Sequence, residues 1–162
     1  MVLALDFLAA SSWFGPYFRF GIPLYIRRTG FRRVAASPAP EALQQALQGR
    51  PNMPHLRFKF ITPGLMAFRE AFFEGGNGIR YLPVMHSAAQ VDAGDGRVAL
   101  TGYMNWYVLF TLIYMALRSL DDPSFILVAV LVLFVFGLSY FAQWGINQAV
   151  AEALEHAPGA AP

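Results

Sequence analysis

Val98-Ala-Leu-Thr-Gly-Tyr-Met-Asn-Trp-Tyr-Val-Leu-Phe-Thr-Leu-Ile-Tyr-Met-Ala-Leu117 contains no charged residue. After Arg118-Ser-Leu-Asp-Asp122, a second uncharged run extends from Pro123 to Ala151. Each run matches the ~20 apolar residues that a helix needs to cross a bilayer. The linker is long enough to reverse the chain and too short to be a domain. The pattern predicts a transmembrane helical hairpin, with spans at about 103–119 and 124–146 and a linker at 118–124.

Composition agrees with a membrane protein. Of 162 residues, 56% are hydrophobic and 14% charged, against ~45–50% and ~25% in soluble domains. Arginine dominates the basic residues and alanine is abundant, a bias that suits a GC-rich bacterial genome. The absence of cysteine excludes disulfides, thiolate catalysis and zinc-thiolate sites.

The distribution of charge gives the hairpin a direction. Of the 12 basic residues, all but Arg118 precede the first span. The positive-inside rule places the N-terminal part and the C-terminus in the cytoplasm and the Asp121-Asp122 linker outside the bacterial inner membrane. Aromatic residues give the same orientation. Tyr103, Trp106 and Tyr107 open the first span, and Tyr140 and Trp144 lie near the end of the second. In an antiparallel pair these would form one interfacial belt. Tyr114 and Phe125 form a thinner belt at the opposite end.

Four segments follow from this reading: 1–33, 34–102, 103–147 and 148–162. The first is apolar and aromatic, broken by Asp6, Arg19 and Gly15-Pro16. It lacks the basic start of a signal peptide, which leaves an interfacial, re-entrant or spanning segment. In the spanning version Asp6 would lie near the outer surface. Arg27, Arg28, Arg32 and Arg33 flank this segment and suit either anionic lipid or a plain topology signal. Nucleic acid is not needed to explain them.

The second segment is a small cytoplasmic α+β domain. Glu41–Gln48 carries strong helix formers with apolar positions at Leu43, Ala46 and Leu47. From His55 to Tyr103 the signal is β. Leu56, Phe58 and Phe60 alternate with polar residues. Thr62-Pro63-Gly64 and Gly75-Gly-Asn-Gly78 read as turns, and Asp92-Ala-Gly-Asp-Gly96 as a hairpin turn. Residues 65–74 fit a strand or a helix. The expected product is a membrane α+β fold: an antiparallel meander of three or four strands running into the hairpin, followed by a short flexible tail from 148.

Neither span holds an ionisable group, which argues against a proton relay, an ion-coupled transporter or a voltage sensor. It also removes histidine as an axial ligand within the spans. Ser139, Gln143 and Asn147 form a polar stripe at i, i+4, i+8, with Asn105 at a comparable depth on the first span. Such groups hydrogen-bond between helices, and they suit either docking to another subunit or packing within the hairpin. Gly137 and Gly145 hint at a close-packing face. His55 and His86 could form a metal pair only with a further ligand from Glu70, Glu74 or Asp92, and an ordinary strand histidine explains His86 as well. Asp92–Gly96 lacks the remaining ligands of a calcium loop. Gly75–Gly78 lacks the Lys-Ser/Thr of a phosphate loop.

No catalytic, cofactor or metal residue is therefore expected. The expected function is a non-catalytic accessory subunit that packs against other integral membrane subunits and lipid. No small-molecule substrate or nucleic-acid partner is indicated. The 15 phenylalanines exceed what a small meander would bury. An adaptor binding a peptide or anionic headgroups is the alternative. An enzyme built on His86 with Glu70 or Asp92 is a remote third.

Overall fold

The computed structural model describes residues 1–29, 40–48, 56–70, 83–91 and 98–156. Helix α1 spans Val2–Ser11, and a 3-10 turn follows at Gly15–Phe18. Strand β1 is Pro23–Thr29 and helix α2 is Pro40–Gln48. Strands β2 to β5 are Leu56–Thr62, Leu65–Glu70, Met85–Val91 and Val98–Met104. Helices α3, Trp106–Asp121, and α4, Phe125–His156, complete the chain. The strands form one antiparallel sheet in the order β1-β5-β4-β3-β2.

The sheet is therefore a five-stranded one, and its extra strand comes from the segment read as membrane-associated. β1 pairs with β5 from Pro23↔Tyr103 to Thr29↔Val98, with an irregularity between Pro23 and Tyr25. Tyr25 faces the core and Ile26 faces out. Uniform apolarity hid this period-2 pattern. The ambiguous stretch from Leu65 resolves as β3, buried on both faces over its first four residues. The β2–β3 turn has Pro63 followed by Gly64 at φ +81°, the backbone a type II turn requires. Residues 71–74 and the expected turns at 75–78 and 92–96 lie outside the described residues, as does His55.

Two hydrophobic layers cover the sheet. On one face Leu43 and Leu47 of α2 and Ile146, Val150 and Leu154 of α4 pack over Phe58, Phe68, Met85 and Leu100. On the other, Tyr17 and Phe18 cover Leu65, Ala67 and Ala88. Gly102 permits the close fit on the first face: a Cβ there would stand 2.8 Å from the Met85 sulfur.

The C-terminal helices differ from expectation. Tyr103 and Met104 belong to β5, so α3 starts at Trp106 and has 16 residues. At 1.5 Å per residue it is ~24 Å long, less than the ~30 Å core of a bilayer. α4 is a single helix of 32 residues. It does not give way to a tail at 148: its last turns fill the sheet's core. Phe125–Glu155 is long and apolar enough to cross a membrane, and only 11% of its most apolar window is buried. α3 and α4 pack side by side, with Tyr107 edge-on to Phe136 and Tyr114 edge-on to Phe125.

Candidate functional site

The site is built where β3 and β4 stop pairing. β3 pairs with β4 only as far as Phe68↔Ser87. Met85 and His86 thus pair with β5 on one side and, among the described residues, have no ladder pairing with β3 on the other. Gln143, reaching in from α4, bonds to the β4 backbone where β3 no longer does. Its Oε1 accepts from the backbone N–H groups of Val84 (2.8 Å) and Met85 (2.9 Å). Its Nε2 donates to the Met85 carbonyl and to Glu70 Oε1, each at 3.3 Å. One turn on, Asn147 Nδ2 donates to the Gln143 carbonyl (3.0 Å) and contacts the Met85 sulfur (3.2 Å). A side-chain amide suits this role because it offers a donor and an acceptor, as a peptide unit does.

His86 lies on the opposite face of β4. Its ring stacks on Tyr17, with centroids 3.9 Å apart, and meets Phe18 edge-on. Its Nδ1 is 2.8 Å from Asn105 Oδ1. Asn105 Nδ2 donates to the Pro83 carbonyl at 2.6 Å, and Tyr17 donates its hydroxyl to Oδ1 at 3.1 Å. Pro83 offers only an acceptor there, so it fixes the amide orientation. Oδ1 must then accept from His86, which places the proton on Nδ1 and a lone pair on Nε2. Nε2 has no hydrogen-bond partner. Burial drives the His86 pKa down to about 4, against smaller upward pulls from Asn105 and the Tyr17 main chain. The ring is neutral at pH 7.

Asn105 can serve this network because another residue caps α3. Asp6, from α1, accepts from the backbone N–H of Trp106 (3.3 Å) and that of Tyr107. A carboxylate at a helix N-terminus satisfies orphan donors and complements the helix dipole. Asp6 is 6% exposed, held between α1 and the start of α3. Burial raises its pKa, and the two backbone donors oppose that rise.

These groups enclose a cavity of about 420 Å³ between α1, the open end of the sheet and α4. Its walls are mainly apolar, from Leu3, Phe7, Leu56, Phe68 and Ile146, with Asp6, Tyr17, His86, Asn105, Gln143 and Asn147 as polar insets. The volume falls in the range of small-molecule sites. Ser87 also lines it, but adjacent strand positions point to opposite faces, so it cannot serve as a nucleophile to His86. Among the described residues no group of three His, Cys, Asp or Glu could hold a metal ion.

The sequence-predicted residues fall into distinct places. Asn105, Gln143 and Asn147 meet around the cavity. Ser139 is also buried, at 2% exposure. The polar stripe is thus covered by its own chain and offers no docking surface. Gly137 and Gly145 face open space. Arg27 pairs with Glu155 at 3.1 Å and Arg28 is exposed, both on β1. Arg32 and Arg33 lie outside the described residues. Of the aromatic belt, Trp106 and Trp144 are exposed. Tyr103 is half-buried in β5. Tyr107 donates to the Pro83 carbonyl at 2.7 Å, and Tyr140 to the Leu24 carbonyl at 3.4 Å. Asp6, Tyr17 and the role of His86 were missed. The signal for Asp6 was present: a lone acid in an apolar helix needs a partner.

No family model matches the chain, and no curated protein or solved structure resembles it closely enough to count as a match.

Proposed function

We propose that this chain is a non-catalytic integral membrane protein, an accessory subunit of a bacterial inner-membrane complex. In this reading α3 and α4 form a transmembrane hairpin, with the sheet domain and the C-terminus in the cytoplasm and Asp121-Asp122 outside. α3 is short for a full crossing, and local thinning of the bilayer makes up the difference at modest cost.

The observation that carries the proposal is the division of α4. Leu127, Leu131, Phe134, Leu138 and Phe141 are all more than half exposed, while Val150, Ala151 and Leu154 are at the centre of the sheet's core. One continuous helix thus joins an apolar surface to a folded domain without a hinge. Leu3, Leu5 and Leu8 of α1 and Ile113 and Leu117 of α3 are exposed as well. A soluble monomer rarely exposes so much contiguous apolar surface. Lipid or partner helices would cover it. Because the polar groups of α4 are used internally, partner helices would meet an apolar face and the open surfaces of Gly137 and Gly145.

The cavity favours a second reading, a free-standing membrane module that binds a ligand at the inner surface. Native co-purification in mild detergent separates the two: stoichiometric partners support the subunit, and a chain that purifies alone overturns it. Topology is tested apart from partners. The chain has no cysteine, so Asp121→Cys and Arg28→Cys each introduce one reactive thiol. An impermeant maleimide should label Asp121→Cys in intact cells and Arg28→Cys only after lysis. The reverse pattern, or labelling of both in intact cells, rejects the orientation.

A further inference from the structure

We infer that the sheet face crossed by the 3-10 turn, opposite α2 and α4, docks on the surface of an anionic phospholipid bilayer. Strand alternation assigns its members. On β2, Leu56 and Phe58 belong to the core under α2 and α4, while Ile61 packs against Tyr17 and Phe18. Arg57 and Lys59 therefore point to the side of Tyr17 and Phe18. On β1, Tyr25 belongs to the core under α2 and α4, so Ile26 and Arg28 point away from it. Between these flanks runs the 3-10 turn, whose C-cap Arg19 donates to the Thr62 hydroxyl at 3.0 Å. Arg19, Arg28, Arg57 and Lys59 are all exposed.

No exposed acid accompanies them among the described residues. Asp6 is buried and spent on the α3 N-terminus. Glu70 accepts from Gln143 of α4. Glu41 is on α2 and Glu152 and Glu155 are on α4, the two helices over the other face. Asp121 and Asp122 lie where α3 ends. One face of the sheet thus carries cations alone.

Large apolar side chains protrude beside those cations. Phe14 precedes the 3-10 turn, and Phe20 and Ile22 follow it; with Ile26 they are 56%, 67%, 47% and 62% exposed. This mixture matches a bilayer surface. Headgroup phosphates take the cations, and the rings and isoleucines enter the boundary with the acyl chains. A nucleic acid would also use cations and aromatic rings, but would leave Ile22 and Ile26 in water. In the anchored reading only Asn105 separates β5 from α3. The face is then tethered at the membrane, where individually weak contacts become populated. The inference goes beyond the anchoring role, which α4 fulfils whatever the headgroup charge.

The test uses the full chain in nanodiscs of phosphatidylcholine, alone or mixed with phosphatidylglycerol, each with a trace of lipid carrying a nitroxide on its headgroup. The chain has no cysteine, so Ile26→Cys places one fluorophore on the face. Gln45→Cys places one on the exposed side of α2 as a control. Quenching at position 26 should be at least about threefold greater over phosphatidylglycerol, and about 0.5 M salt should abolish the gain. Position 45 should show no gain. Each cation at an anionic surface strengthens contact roughly fivefold, so Arg19→Gln/Arg28→Gln/Lys59→Gln should weaken docking about a hundredfold and remove the gain. Equal quenching in both lipids, an equal gain at position 45, or a gain that survives both salt and the triple variant overturns the proposal. So does a dye at position 26 that ignores phosphatidylglycerol and responds to a single-stranded oligonucleotide. The salt arm keeps all the cations, so a folding defect in the triple variant does not decide the outcome. Incorporation reads the anchoring role separately. A chain that enters only phosphatidylglycerol discs loses the anchor and keeps this face, and one that enters neither loses both.

Discussion

Three residues carry structural costs that their neighbours offset. Trp13 has φ +57°, a left-handed conformation unfavourable for a side chain of this size. It ends α1 with Phe14 N–H donating to the Ala9 carbonyl and its own N–H to the Ala10 carbonyl, the pairing of a Schellman motif in which glycine is usual. The indole is retained because its ring stacks on Phe18 and lies under Arg69 and Lys59. Trp13→Ala loses the ring and keeps the strain, whereas Trp13→Gly loses both. The glycine variant should therefore be more stable than the alanine variant by about 1 kcal/mol, read from chemical denaturation in detergent. Asp6→Ala should cost about 1–3 kcal/mol, because the buried Tyr107 N–H loses its acceptor. His86 sets the acid response. Its folded pKa of about 4 lies below the ordinary 6.5. Between those values the unfolded chain holds a proton that the folded chain lacks, so stability falls as the pH falls. The loss approaches about 3 kcal/mol by pH 4. Asp6 has the opposite sign: its raised pKa means that the fold gains as that carboxyl protonates. Melting curves from pH 7 to pH 4 should show His86→Phe losing the acid-induced fall and Asp6→Asn steepening it. A His86→Phe variant with an unchanged slope would exclude this assignment.

At the scale of elements, α4 has two roles and one composition. Ile146, Val150 and Leu154 repeat every four residues, as do many apolar residues earlier in the helix. Periodicity alone therefore could not tell the exposed turns from those packed on the sheet. β1 was hidden for the same reason: Pro23–Ile26 follows apolar sequence, and its strand character appears only when it pairs with β5. Where local signals were specific, the reading held. Glu41–Gln48 is helical and Leu56–Thr62 is a strand, because in each one face is polar. The residues of the polar stripe were legible as hydrogen-bonding groups, but their partners were not, because the backbone of Val84 and Met85 has no sequence signature. Gln143 makes this testable. Gln143→Leu fits the volume but leaves two buried N–H groups unpaired, and should cost about 2–5 kcal/mol. Gln143→Glu keeps the acceptors and loses the donor facing Glu70, so it should be destabilised at pH 7 and partly recover in acid. A Cβ at Gly137 would meet no atom within 4 Å, so Gly137→Leu should leave the isolated chain unchanged. A loss of co-purifying partners in that variant alone would map their contact to this face.

For the whole molecule, the question is what surrounds the apolar surface of α1, α3 and α4. Leu131 and Phe134 are 62% and 63% exposed on the first half of α4, away from the sheet, the cavity and the α3 contacts at Phe125 and Phe136. In water, arginine at these positions is harmless and improves solubility, because no core contact is lost. At the centre of a membrane-spanning helix each arginine costs about 2.5–3.5 kcal/mol on insertion scales, so the pair costs about 5–7 kcal/mol. A chain anchored by α4 should thus lose insertion in the double variant Leu131→Arg/Phe134→Arg and be extracted from membranes by alkaline carbonate. The sheet domain should respond less, because Val150 and Leu154 remain seated in its core. A double variant that still resists carbonate would place α4 outside the bilayer, and its apolar surface would then require a protein partner. The sheet and cavity would stand in either case, since neither Leu131 nor Phe134 is among the α4 residues that pack on the core or line the cavity.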